Sequence, residues 1–177
     1  MNLFINYYDN PERQDELDYC LKTNLSHPLI ERVIIFNESE RKFRHKKVVN
    51  IGSKKRPTYQ DFFDATKNYP DDVNIISNLD IYFDQTLEHA KFIKPNVCYA
   101  LTRYEHRKEG PVFFEDAHGN KACKALASQD VWMFRGAVNM TGCDKVEAVN
   151  LSNERNRDFI RFTMGVLDRD WETAEVL

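Results

Sequence analysis

Apolar runs and helix-like stretches alternate through the first hundred residues, and this alternation restricts the fold more than any other feature. "NLFINYY" (2–8) reads as a first buried strand. "PERQDELDYCLKTNL" (11–25) opens with Pro11 and acids in its first turn, both helix-start signals. Leu17, Cys20, Leu21 and Leu25 in it recur at helical spacing and give one face to bury. Strands follow at "ERVIIFNE" (31–38) and "KKVVNIG" (46–52), then a helix at "TYQDFFDATKNY" (58–69) after Pro57. "DVNIISNLDIYF" (72–83) is a fourth strand with an extension, and "QTLEHAKFI" (85–93) a helix. "VCYALTRYE" (97–105) and "SQDVWMFRG" (128–136) read as strands, with helical signals at 153–165 and 170–177. Strands alternating with helices imply βαβ units and a mostly parallel sheet. Helices on both faces explain why the strands read as continuous apolar runs. The expected fold is α/β: a single domain over 1–177, Rossmann-like, with a mostly parallel central sheet flanked by helices.

The chain has 177 residues, enough to bury a real core in one domain. Its net charge of −3 argues against a general nucleic-acid binder. No stretch reaches the roughly 18 apolar residues a membrane-spanning helix needs. "MNLFINYYDNPERQ" lacks the basic start and apolar core of a secretory signal. Cys20, Cys98, Cys123 and Cys143 are scattered with no C-x-x-C pair, as expected of reduced thiols in a cytoplasmic protein. The five histidines show no zinc-binding spacing.

In a parallel α/β sheet, ligands bind outside the carboxyl ends of the strands. "VNIISNLDIYFD" (73–84) runs from an apolar strand straight into that region. Asn78 and Asp80 are two apart, so in an extended chain they point the same way. Two oxygen ligands suit a hard divalent cation such as Mg²⁺ or Mn²⁺, which can bridge a diphosphate. A plainer role for Asp80 is capping the next turn. "RKFRHKKVVNIGSKKRPTYQ" (41–60) carries eight Lys or Arg and no acid. Most of it reads as a solvated basic face. Arg56 and Thr58 instead precede a helix, where an anion can meet the helix N-terminus. Gln129 and Asp130 open an apolar strand and either cap it or face a pocket. Arg103 in "TRYE" can hold an acceptor or a leaving phosphate, or pair with Glu105 or another acid. Asp144, Asp168 and Asp170 are further acids toward the C-terminus.

"RPTYQDFF", "NIISNLDIYFDQTL", "YALTRYE" and "SQDVWMFRG", in this order, resemble the small GT-A-type glycosyltransferases of large DNA viruses, phages and some bacteria, a group that includes the capsid-glycan glycosyltransferase domains of chlorella viruses. The resemblance covers nearly the full chain. It implies a GT-A fold, a nucleotide-sugar donor, a glycan acceptor and a divalent metal, Mn²⁺ or Mg²⁺. It places Asp80, with Asn78 nearby, at the metal motif. Arg56, Thr58 and Tyr59 would lie beside the nucleoside diphosphate. Asn6, Tyr7 and Tyr8 at the first strand end, with Asn37 at the second, would frame base and ribose. Asp130 would face the sugar and acceptor. The family's closing G-x-x-G-C-D-N segment is altered here: "FTMGVLDRDWETAEVL" carries Leu167–Trp171 in its place, with Asp170 aligned to the family acid as candidate base or metal-shell group, and Asp144 in "TGCDK" (141–145), which has G-C-D without the F-x-x-G lead, as the second candidate.

The expected function is therefore metal-dependent transfer of a sugar, from a UDP-sugar by family default, to a glycan hydroxyl. It would take place in the cytoplasm, the host's if the gene is viral. The alternative is a degenerate GT-A domain that binds a nucleotide or glycan without turnover. A nucleotidyl-transferring enzyme would be expected to carry a glycine-rich phosphate loop after the first strand, and "NYYDNPERQ" has no glycine.

Overall fold

The computed structural model describes residues 1–95, 97–101, 104–107, 110–113 and 130–138. Six strands form one sheet in the order β3-β2-β1-β4-β8-β5. They are β1 (Asn2–Tyr7), β2 (Arg32–Asn37), β3 (Val48–Gly52), β4 (Val73–Ser77), β5 (Cys98–Leu101) and β8 (Val131–Arg135). A separate two-stranded sheet pairs β6 (Tyr104–Arg107) with β7 (Gly110–Phe113). Two α-helices, α1 (Gln14–Ser26) and α2 (Tyr59–Thr66), and a 3-10 helix over Gln85–Phe92 complete the described elements.

β1, β2, β3 and β4 are mutually parallel. β8 runs antiparallel between β4 and β5, so the sheet is mixed at that edge. The alternation of strand and helix signals could not reveal this, because periodicity reports burial and not direction.

Both faces of the sheet are buried. Leu3, Ile5 and Tyr7 of β1 join Val33, Ile35, Ile75 and Met133 under Leu17 and Leu21 of α1 and Leu87 and Ala90 of the 3-10 helix. Phe4, Ile34, Ile76 and Trp132 point the other way, under Phe62 and Phe63 of α2. The period of two in side-chain direction thus sorts each apolar run into two cores.

Several elements are shorter than the sequence signals. α1 starts at Gln14, with Pro11–Arg13 forming the turn that leads into it. β4 ends at Ser77, so the segment read as its extension, 78–83, is not strand. The segment 97–105 splits into β5 and the start of β6. The helical signals at 153–165 and 170–177 lie outside the described residues.

One topological fact places the site. The chain moves outward from β1 to β2 to β3, then returns to lay β4 on the other side of β1. Strand order therefore reverses between β1 and β4. At such a point the connections leave in opposite directions and open a crevice at the strands' carboxyl ends.

Candidate functional site

A cleft of about 180 Å³ opens at that switch point, lined by Asn6, Tyr8, Arg56, Ser77, Asn78, Leu79 and Asp80. Four of the seven are consecutive, Ser77 ending β4 and Asn78, Leu79 and Asp80 leaving it. Past β4 the Asn78 N–H donates to the Asp130 carbonyl at 3.1 Å, and beyond it the loop has no sheet partners among the described residues. The loop is held by side chains at the carboxyl end of α1 and just past it. Buried Asn24 donates through Nδ2 to the Ile81 carbonyl at 2.8 Å and accepts from the Phe83 N–H at 3.0 Å. His27 Nε2 lies 2.9 Å from the Asp84 carbonyl oxygen. Leu79 and Phe83 drop into the core. Asn78 and Asp80 are thereby left at the cleft by a clamped turn, not by the strand alternation expected from their spacing.

The walls carry opposite charges. On one side Arg56 lies over the Tyr8 ring, 5.6 Å from its centroid. On the other, Asp80 accepts from Arg13 through Oδ2 at 2.8 Å. The same guanidinium forks onto Glu16, with Nε and one terminal nitrogen each at 2.8 Å. Hydrogen bonds to Glu16 first, and to Asp80 second, hold Arg13 even more firmly protonated than an ordinary arginine. Behind this pair, burial first, then the Asp80 and Glu16 charges, pushes the Cys20 thiol up to about 11. At the floor, Asn78 Nδ2 donates to Asp130 Oδ1 at 3.0 Å, which brings the first residue before β8 to the carboxyl end of β4. Asn6 Nδ2 donates to Glu38 Oε1 at 2.7 Å. Its other amide atom, Oδ1, is buried with no hydrogen-bond partner among the described residues. A buried acceptor left unmet is costly, and this one borders a cleft.

The structure brings six of the sequence candidates together: Asn6, Tyr8, Arg56, Asn78 and Asp80 line the cleft, and Asp130 is bonded to Asn78. Four others sit elsewhere. Tyr7 alternates away from Asn6 and is fully buried on the α1 face, its hydroxyl accepting from Gln14 and Arg41. Tyr59 is buried in the α2 core with its ring edge-on to Trp132, and burial, then the Asp130 charge, pushes its phenol up. Thr58 caps α2 in a reciprocal box with Asp61, which fixes the turn that carries Arg56. Asn37 folds the turn after β2, accepting from Ser39 and donating to the Arg41 carbonyl. Arg103 and Asp170 lie outside the described residues, as do Asp144 and Asp168.

Arg13, Glu38 and Asn24 were not read from sequence. Arg13 looked like part of a helix start, and its partner Asp80 is 67 residues away. Asn24 sits near the end of a helix, where an asparagine carries no signal of a long-range clamp.

The oxygens present fit a hard cation better than a soft one. Among the described residues no three His, Cys, Asp or Glu side chains gather as a ready cage. Mg²⁺ commonly manages with one or two carboxylates plus waters and substrate phosphates. Asp80 suits that mode, and Arg13 occupies one of its oxygens. No helix among the described residues is long and apolar enough to cross a membrane.

No family model matches the chain, and no curated protein matches it. Among solved structures it is similar to the crystal structure of Francisella tularensis 2-C-methyl-D-erythritol 4-phosphate cytidylyltransferase, with 15% identity and a TM-score of 0.39 over 76% of this chain and 70% of that one. A likeness of that size carries no conclusion about the reaction.

Proposed function

We propose that the cleft holds the nucleoside diphosphate of a sugar donor. On this reading the protein is a glycosyltransferase of the GT-A type, moving a sugar from a nucleoside-diphosphate sugar, UDP-sugar first, to a glycan hydroxyl. The observation that carries the reading is the pairing, at the reversal point of a parallel sheet, of cationic Arg56 with the Asn78–Asp80 turn in one cleft.

Each residue then has a task. Arg56, set by the Thr58 cap, would meet the diphosphate and stabilise its charge as it leaves. Asn6 Oδ1 would accept from a donor group of the base or ribose and lose its unmet state. Asp80 would hold Mn²⁺ or Mg²⁺, which when bound takes up charge on the leaving group. Asp130, oriented by the Asn78 amide, would receive or direct the acceptor hydroxyl proton. Asp170 keeps the role that the family resemblance gives it, and Arg103 would hold the acceptor or the leaving phosphate.

The test is thermal unfolding with UDP, GDP and dTDP, each with and without Mn²⁺, on the natural chain and on Asp80→Ala. A ligand that binds only the native state raises its melting temperature. Stabilisation by one nucleotide only with metal, abolished in Asp80→Ala, is the expected result. No shift with any nucleotide at millimolar concentration would sink the donor-site reading. Donor hydrolysis then separates an enzyme from a module that binds the nucleotide without turnover.

A further inference from the structure

The Arg13–Asp80 pair sits where the donor-site reading needs Asp80 to be open to a cation. The pair joins the residue before α1 to the turn after β4, and both side chains reach solvent, 43% and 27% exposed. The guanidinium has a second anchor. Glu16, one helical turn further along α1, holds it at two nitrogens. Letting go of Asp80 would therefore not set Arg13 adrift, because the Glu16 fork keeps the charge at the same rim. Arg56 stands on another wall of the cleft. Arg13 reaches the cleft through Asp80, which lines it together with Arg56.

A divalent cation and Arg13 cannot both use Asp80 comfortably. They would compete for its oxygens and repel each other. A diphosphate removes the conflict, since it can take the guanidinium's hydrogen bonds as the cation takes the carboxylate. Planar guanidinium forks match phosphate oxygens well.

We propose that Arg13 is a diphosphate-binding residue that guards Asp80: it holds the carboxylate while the cleft is empty and exchanges it for the donor's phosphates when a cation binds. The proposal rests on the donor-site reading and adds a residue that its expected site did not include. It predicts effects of opposite sign from one substitution. In Arg13→Gln, Asp80 loses its competitor, so Mn²⁺ alone binds about two- to fivefold more tightly, the worth of a solvent-exposed ion pair. The same variant loses a charged hydrogen-bond donor to phosphate, so UDP in the presence of Mn²⁺ binds about tenfold more weakly. Arg13→Lys keeps the charge but not the fork, and its Mn²⁺ affinity stays near that of the natural chain.

The experiment measures free Mn²⁺ by electron paramagnetic resonance and UDP binding by calorimetry, on the full chain and both variants. Thermal unfolding without ligand checks that each variant folds. Tighter metal with weaker UDP in Arg13→Gln supports the exchange. Unchanged values for both, in a natural chain that does bind UDP with Mn²⁺, overturn the exchange and leave the donor site standing. A parallel loss of both affinities makes Arg13 a purely structural residue and also overturns it. If the natural chain binds neither ligand, the donor reading falls and the exchange with it.

Discussion

β1 carries two buried asparagines on the same face, four residues apart, and they have opposite fates. Asn2, at the amino end, is fully satisfied. Its Nδ2 donates to Asp72 and Asn74, both at 3.0 Å, and its Oδ1 accepts from Arg32 at 3.1 Å. Asn74 in turn donates to the Tyr69 and Gly136 carbonyls at 3.1 and 2.7 Å. Asn6, at the carboxyl end, has one bond to the exposed Glu38 and an oxygen with no partner among the described residues. A buried polar network is stabilising when every member is satisfied and a liability when one is not. The amino end is therefore a closed structural seam, and the carboxyl end an open one at the cleft. Both ends are polar, and only the count of unmet groups tells them apart.

The largest break in this contrast is Asn74→Ala. It strips two carbonyls and Asn2 of their partner at once, and each buried group left unpaired costs about 1–3 kcal/mol. A loss of about 3 kcal/mol is expected, read as a lower urea midpoint with unchanged slope. A loss below about 1 kcal/mol would mean that the seam relaxes or admits water and is not a structural lock.

Gly136→Ala tests the same seam from its backbone. Gly136 has φ +84°, and an added Cβ would lie 2.8 Å from the Pro70 carbonyl oxygen. Its N–H donates to the Asp72 carbonyl at 2.9 Å, so a shift of the turn would disturb the residue that serves Asn2. Left-handed strain with a backbone clash costs about 1–3 kcal/mol. An unfolding curve that matches the natural chain would show that this turn is free to move and that the amino end is less rigid than its hydrogen bonds imply.

At the open end the ranking of effects inverts. Asn6→Ala removes one bond to an exposed carboxylate and also removes the unmet oxygen, so stability should change by less than about 1 kcal/mol. UDP binding in the presence of Mn²⁺ should weaken about tenfold, the worth of one buried hydrogen bond. The informative comparison is Asn2→Ala on the same strand face. It should lose stability and leave the ligand affinity of the folded fraction unchanged. If both variants lose stability alike and neither changes binding, the two ends are not different in kind.

How much of this could be read beforehand follows from the same contrast. The strand cores were legible because apolar runs report burial directly. The two-faced core followed from their alternation with helices. The open end was legible as a set of residue types, since Asn6 stands near the end of the first strand signal, Asn78 and Asp80 in the extension of the fourth, and Arg56 just before the second helix signal. Neighbours with equal claims were not separable. Tyr7 and Tyr8 are adjacent, and only strand phase sends one to the core and the other to the cleft. Thr58 and Arg56 share a motif, yet Thr58's polar atoms serve a helix cap. Arg13 was invisible because an ion pair spanning 67 residues leaves no local trace.

The turn between the strand and the 3-10 helix supplies the smallest test, because it holds the open end's residues without a sheet. Asp84 caps the 3-10 helix, its Oδ1 accepting from the Thr86 N–H at 2.9 Å and its hydroxyl at 2.6 Å. Those two bonds, the hydroxyl's first, hold the Asp84 carboxyl below the ordinary carboxylate range. Protonation is then easier in the unfolded chain than in the folded one. The cap's contribution is complete above the ordinary value of about 4 and is lost as pH falls through the lower folded value. Asp84→Asn can cap in the same way but does not titrate. Between pH 6 and 3 the natural chain should lose about 0.5–1 kcal/mol relative to that variant, the worth of one exposed cap. Urea unfolding at each pH reads the difference directly. Parallel stability curves for the two would show that the Asp84 cap does not help to anchor the turn carrying Asn78 and Asp80, which Asn24, His27 and the packing of Leu79 and Phe83 then hold. The open end would then owe its shape to those contacts and not to the cap.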